Sequence, residues 1–472
     1  MKDKKRKNND RPKRNTKKPR TYKEESDSES EDEINFEEDA EKLIRFFDKL
    51  SEENGNNFTF SLVNDPEEEV YDKYLNSLSD SKRKKLKKLE KKILTFNSSD
   101  IPLRYKILES NLEDKVKAQI IQKAIHFENL SPVQSEYFKL KKYMDGILKI
   151  PFNKFSKIPV EKGDSNDKIK EYMNKIKKGL DDCIYGQENA KQSIMQILAK
   201  WITNPDGTGN IIGLCGPPGV GKTSLIKNGL SKTLNMPFSF ISLGGSTNAS
   251  ILEGFDYTYE GSKWGRIINT LMLNDCMNPI IFFDELDKIS ETKSGEEIAS
   301  ILIHLTDPTQ NNSFSDRYFS GIDFDLSKAF IIFSFNNINK INPVLRDRIT
   351  VVNLEGFDVE DKIKIAKKFS IKRLTDNIGM SNKKVIIPDE TLRVITNTYC
   401  PEKGIRKLEK CLETLLMKIN LYDITKDLKN LNIKGEINLS EPYFIDGATA
   451  VKLLDPTFRK DDMSMSVKMM YS

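Results

Sequence analysis

The chain has 472 residues, room for about three folded units plus tails, and carries 76 lysines and arginines against 71 acids, a formal charge of +5. With 37% hydrophobic and 31% charged residues, and no apolar run approaching the length of a membrane span, it reads as soluble and intracellular. The five cysteines form no C-x-x-C pair and the only histidines are His126 and His304, so no zinc site is legible and a reducing compartment is expected.

Residues 1–40 read as a disordered charged tail: Met1 to Lys23 is dense in Lys and Arg, and Glu24 to Asp39 is acidic, interrupted by Ser26, Ser28 and Ser30. A nuclear-localisation or nucleic-acid patch, phosphorylation sites among the acids, and plain solvated charge are all open readings. An apolar signal-peptide core is missing, and the acids argue against a mitochondrial transit peptide, which leaves the cytoplasm, or the nucleus through the basic tail. Residues 41–160 read as mainly helical with a linker. Lys82 to Lys92 places Leu86, Leu89 and Ile93 at helical spacing among lysines, an amphipathic helix suited to a neighbouring helix, an anionic lipid surface or nucleic acid. Tyr137, Leu140, Met144, Ile147 and Leu148 repeat that spacing up to Pro151 and predict a long helix or short coiled coil.

An apolar strand, Ile211 to Cys215, then runs into Gly216-Pro217-Pro218-Gly219-Val220-Gly221-Lys222-Thr223-Ser224. That G-x-x-x-x-G-K-T spacing suits a phosphate cradle: the glycines turn backbone N–H groups inward, Lys222 reaches the terminal phosphates of a nucleoside triphosphate, and the Thr223 hydroxyl can ligate Mg²⁺. Cys215 reads as a small core residue. Further along, Tyr257 to Gly265 has aromatics among glycines with neither helical nor strand periodicity. Tyr259 and Trp264 can grip a polypeptide by apolar contact, stack on bases beside Lys263 and Arg266, or pack beneath the loop.

The next strand, Pro279 to Phe283, ends in Asp284-Glu285. At the carboxyl end of a buried parallel strand, Asp284 would hold the metal through its shell and Glu285 would orient and deprotonate the attacking water; an acidic helix N-terminus is the bland alternative. A third apolar run, Ala329 to Phe333, leads to Asn336 and Asn337; an amide there can bond the γ-phosphate or the water, with Asn336 the first choice. Arg346 and Arg348 follow. A guanidinium here either reaches a neighbouring subunit's nucleotide, with Arg348 favoured, or forms an ordinary ion pair. Leu408, Leu412, Leu415, Leu416 and Ile419 recur at helical spacing and predict a helical core segment.

Together these blocks resemble the ATPase module of Lon-type AAA+ proteases. The likeness also covers Tyr185 to Glu188, Ile241 to Gly245, Thr258 to Ser262, Gly265 to Ile267, Phe283 to Lys288, Ser313 to Tyr318, Phe324 to Lys328 and Pro401 to Glu409, and it spans roughly Ser131 to Asp455. It implies an α/β fold in which a five-stranded parallel P-loop sheet has helices on both faces and the asparagine strand between the strands of the phosphate loop and the acids. An all-α lid follows, giving a large ATPase domain over 161–356, a lid over 357–455 and a tail over 456–472. It further implies Arg406 as a second sensor reaching the nucleotide from the lid, Arg348 as an arginine finger in a ring, most simply a homohexamer, and Tyr259 as the pore aromatic; Trp264 departs from the family's usual residue. The family's N-terminal β-rich domain and Ser–Lys peptidase domain are not legible in these 472 residues. The expectation is therefore an Mg²⁺-ATP-dependent unfoldase or remodelling motor for protein substrates that does not cleave peptides itself. A separate peptidase chain docked on the ring and a nucleic-acid loader or helicase remain alternatives.

Overall fold

The computed structural model describes Tyr74, residues 77–97, and residues 101–455 apart from 206, 208–209, 247, 381–384, 428–430 and 432–441, together with Phe458. The charged tail at 1–40 and the tail at 459–472 lie outside the described residues. Residues 1–99 and 100–472 form separate units. In the first, Asp80–Asn97 is a helix whose Leu86 and Leu89 are exposed.

The second unit is built around a parallel sheet of β1 (Ile211–Cys215), β2 (Phe238–Ser242), β3 (Ile280–Asp284), β6 (Phe330–Phe335) and β7 (Thr350–Asn353), in the order β2-β3-β6-β1-β7. Two short strands, β4 (Phe314–Ser315) and β5 (Asp323–Phe324), pair antiparallel beside it. β6 lies between β3 and β1, as the resemblance implies, with Ile331 opposite both Ile211 and Ile281. The central strands β1, β3 and β6 are buried on both faces, which is why they read as nearly continuous apolar runs. Successive side chains alternate between two cores: Ile281, Phe283, Ile331 and Phe333 belong to one, Ile280, Phe282, Phe330 and Ile332 to the other. Helices Asn166–Cys183 and Glu188–Thr203 cover the second core, and helices Arg266–Asn274 and Lys293–Thr306 cover the first.

Helices Leu103–Glu109, Asp114–Glu128 and Ser135–Ile147 pack Ile107, Ile120, Ala124, Tyr143, Met144 and Ile147 into that first core. This corrects two expectations. No packing boundary separates residues 101–160 from the ATPase sheet, and the apolar stripe on Ser135–Ile147 faces the protein's own core instead of a coiled-coil partner. The lid has its own core, from Ile363 to Phe458, centred on helix Arg406–Thr425 with Leu408, Leu412, Leu415, Leu416 and Ile419 fully buried. It also contains a small parallel ribbon of β8 (Val385–Ile386) and β9 (Tyr443–Phe444), so it is helical with one strand pair added.

Candidate nucleotide site

The site sits at the carboxyl ends of β1, β3 and β6. After β1 the chain turns through Gly219 and Gly221, with φ of 82° and 92°, and enters the helix that begins at Lys222. Those angles favour glycine, and a Cβ on Gly221 would come within 2.6 Å of Ile184 Cδ1. Val220 is buried and anchors the turn, while Pro217, Gly219, Lys222, Thr223 and Ser224 are partly open and Pro218 is exposed. Lys222–Ser224, Leu225–Ser231 and Lys232–Leu234 then continue as one helix whose middle is wound as a π-helix.

Lys222 Nζ donates to Gly216 O at 2.6 Å, Asn336 Oδ1 at 2.6 Å and Phe335 O at 3.3 Å. The phosphate-loop cation and the strand-tip amide, 114 residues apart, are thus in direct contact. Burial lowers the Lys222 pKa below the usual ammonium value, and the carboxylates of Asp284 and Asp287 oppose that shift. Geometry separates the two asparagines. The Asn337 side chain accepts from Asn339 N–H at 2.9 Å and caps the short helix Ile338–Lys340, while the Asn336 amide faces Lys222. Cys215, expected in the core, is half-buried with Sγ 3.9 Å from Asn336 O.

At the tip of β3, Asp284 Oδ1 accepts the Glu285 N–H at 3.0 Å, and Glu285 adopts φ 61°. That left-handed backbone is uncommon for a residue with a side chain and is found at functional turns. The Glu285 carboxylate lies against Gly244 after β2, where a Cβ would overlap Oε2. Substitution Gly244→Ala is therefore expected to displace Glu285 and lower kcat for ATP on the order of ten- to a hundredfold, with KM for ATP little changed; steady-state kinetics checks this.

Asp287 was not singled out by sequence reasoning. It is buried, and its Oδ2 accepts the N–H groups of Asn336 at 3.2 Å and Asn337 at 3.1 Å, fixing the end of β6 to the acid-bearing turn. Its Oδ1 is buried without a partner among the described residues, which leaves an acceptor near Lys222. The available signal was an acid three residues after Asp284, separated from Glu285 by the buried Leu286.

The lid closes one side. Ile405 N–H donates to Gly219 O at 3.1 Å, a Cβ on Gly219 would lie 3.0 Å from Arg406 Cγ, and buried Gly404 is pressed so closely on Pro218 that a Cβ there would overlap the Pro218 carbonyl oxygen. Arg406 is exposed at the start of the lid helix, and its charge depresses the Lys222 pKa. Gln187, at φ 60°, clamps the main chain of Glu355 through both amide atoms, at 2.8 and 3.1 Å.

Arg348 is engaged within its own chain. Its Nη1 donates to Ile303 O at 2.7 Å and lies 3.0 Å from Asp307 Oδ2, at the end of helix Lys293–Thr306, whereas Arg346 is exposed. The loop aromatics also part company. Tyr259 is 69% exposed, but Trp264 is half-buried, its Nε1 donating to Asn269 Oδ1 at 3.1 Å and its ring set against Tyr318 and Phe319. Packing beneath the loop is the reading that Trp264 takes; its expected place beside Tyr259 in a pore is withdrawn.

The donor set suits magnesium and nucleotide. Thr223 offers a hydroxyl and Asp284 a carboxylate, hard oxygen ligands, and among the described residues no cluster of three or more His, Cys, Asp or Glu could hold a metal alone. Mg²⁺ commonly binds through one or two protein ligands, waters and substrate phosphates, which fits so sparse a site. No described helix is long and apolar enough to cross a membrane.

A turn after β1 with two left-handed glycines, a lysine at the helix start, paired acids on β3 and an asparagine on β6 define a P-loop ATPase of the AAA+ class. Residues 212–357 match the model of the ATPase family associated with various cellular activities (AAA). Along a longer stretch the chain is 36% identical over 337 residues to a Lon protease homolog of Acanthamoeba polyphaga mimivirus, covering 70% of this chain and 32% of that protein. It is 34% identical over 340 residues to the Lon protease of Clostridioides difficile, covering 71% of this chain and 41% of the other, and 28% identical over 375 residues to that of Fusobacterium nucleatum, covering 78% and 47%. The chain carries a Lon-type AAA+ ATPase module, and it spans from 32% to 47% of the length of these curated relatives.

Proposed function

We propose that the chain is an Mg²⁺-ATP-dependent motor that assembles as a ring, most simply a homohexamer, and uses hydrolysis to unfold, translocate or remodel proteins. Lys222, the phosphate-loop amides and Ser224 would hold the nucleotide, with Thr223 and Asp284 the ligands for Mg²⁺, whose charge would offset that of the phosphates when bound. Glu285 is the base that takes the proton of the attacking water, and Asn336, already against Lys222, orients that water or the γ-phosphate. Arg406 reaches the nucleotide from the lid. Arg348 is the finger, exchanging Asp307 for the phosphates of a neighbouring copy; in the isolated chain that ion pair holds it back.

The observation that carries the polypeptide reading is the exposure of Tyr259 at the tip of a loop whose other aromatics, Tyr257 and Trp264, are turned inward. An exposed ring on a fixed loop gives sequence-independent apolar contact. Casein, an unstructured polypeptide, is expected to stimulate ATP turnover, and Tyr259→Ala to abolish the stimulation. Stimulation by single-stranded DNA alone would overturn this reading in favour of a nucleic-acid machine. Peptide-bond cleavage is not assigned to these 472 residues; release of acid-soluble casein fragments by the purified chain alone would contradict that part.

A further inference from the structure

The loop bearing Tyr259 closes on itself through short-range turn bonds, and none of these ties its tip to the rest of the fold. Thr258, Tyr259, Glu260 and Gly261 are all exposed, and the bonds within the loop are local: Asp256 Oδ1 accepts the Thr258 N–H at 2.9 Å and its hydroxyl at 2.7 Å, Tyr259 N–H donates to Asp256 O at 3.2 Å, Ser262 N–H to Tyr259 O at 3.4 Å and the Ser262 hydroxyl to Tyr257 O at 3.3 Å. Two lysines from helix Ser135–Ile147 tie the loop to its surroundings. Lys139 Nζ donates to Thr258 O at 2.6 Å and Lys142 Nζ donates to Ser262 O, so the carbonyls on either side of the exposed tip are each held by an ammonium group. Residues three apart share one face of a helix, which lets a single helix hold both limbs of the loop. Hydrogen bonds from a charged donor are about twice as strong as neutral ones.

The same helix fixes the loop's root. Tyr143 packs against Tyr257 with centroids 5.1 Å apart, and Lys123 of helix Asp114–Glu128 lies 4.1 and 4.8 Å from those two rings. Gly146 lets the helix approach so closely that a Cβ would lie 3.0 Å from Phe319 and 3.1 Å from Trp264. At the loop's end, Gly265 N–H donates to the buried Asp316 at 2.8 Å. Burial pushes the Asp316 pKa up to about 7 against the pull of its backbone N–H donors.

We propose that Lys139 and Lys142 are positioning residues for substrate grip: they mount the Tyr259 loop on helix Ser135–Ile147, and load on the bound polypeptide passes into that helix. This rests on Tyr259 being the gripping aromatic.

The test uses the purified full chain with both lysines changed to Met, which keeps the apolar stem and removes the donor, beside the double Arg variant and Tyr259→Ala. The expected result for the Met pair is wild-type kcat and KM for ATP without polypeptide, and a half-maximal casein concentration raised about fivefold or more, with the Arg pair restoring the wild-type value. A wild-type casein response in the Met pair, alongside its loss in Tyr259→Ala, would overturn the mount and leave the function standing. Loss of unstimulated ATP turnover in the Met pair would also overturn it, since the lysines would then serve folding. A normal casein response in Tyr259→Ala would remove the gripping role and the mount together.

Discussion

Substitution Glu285→Gln is expected to leave ATP bound and lower turnover by about 10²- to 10⁴-fold, the usual contribution of a positioned general base. The exchange keeps the side chain's size and shape but replaces the carboxylate, the proton acceptor, with a neutral amide. Nothing in the phosphate cradle depends on that carboxylate: Lys222 bonds Gly216, Phe335 and Asn336, and the Asp284 carboxylate, not that of Glu285, accepts the turn's N–H. Equilibrium binding of a fluorescent ATP analogue together with phosphate release checks both halves. Equal losses of binding and turnover would show that Glu285 holds the turn together instead of acting on water.

Substitution Gly404→Ala is expected to lower kcat for ATP by about a hundredfold, as displacements near 1 Å can do, and to raise KM for ATP. A Cβ at this buried position meets the backbone carbonyl of Pro218, and Gly219 within 3.0 Å, neither of which can rotate away. Relief must come from moving the lid, which breaks the Ile405 to Gly219 hydrogen bond and carries Arg406 off the phosphate loop. Overpacking of this kind costs about 1–3 kcal/mol. The lid's own core of Leu408, Leu412, Leu415 and Leu416 is untouched, so the variant should fold. Initial rates over a range of ATP concentrations, with a thermal melt alongside, separate a displaced lid from an unfolded one.

The parts of the site that were legible in sequence are those in which neighbouring residues act together. The phosphate loop needs glycines and a lysine within one turn, and the acids need only to end a buried strand, so spacing alone places both. Sequence ranked Asn336 above Asn337 but could not settle the choice, because the difference lies in what each side chain bonds: one meets Lys222 from a distant segment and the other caps the helix after it. Asp287 is one of 71 acids, and only its tertiary bonds to the β6 end distinguish it. Periodicity showed that Met144, Ile147 and Leu148 belong to one apolar stripe but not what covers it, so the coiled-coil reading gave way to packing on the ATPase core. Trp264 and Tyr259 look alike in a loop of glycines and aromatics, and they differ only because Tyr318, Phe319 and Asn269 stand under one of them.

Mechanical work on a polypeptide is read most directly from the fluorescence of a green fluorescent protein carrying an unstructured tail, mixed with the purified chain, ATP, Mg²⁺ and a trap that blocks refolding. Fluorescence is expected to fall only while ATP is hydrolysed and to persist with Glu285→Gln. Unchanged fluorescence during brisk ATP turnover would contradict a protein-unfolding motor.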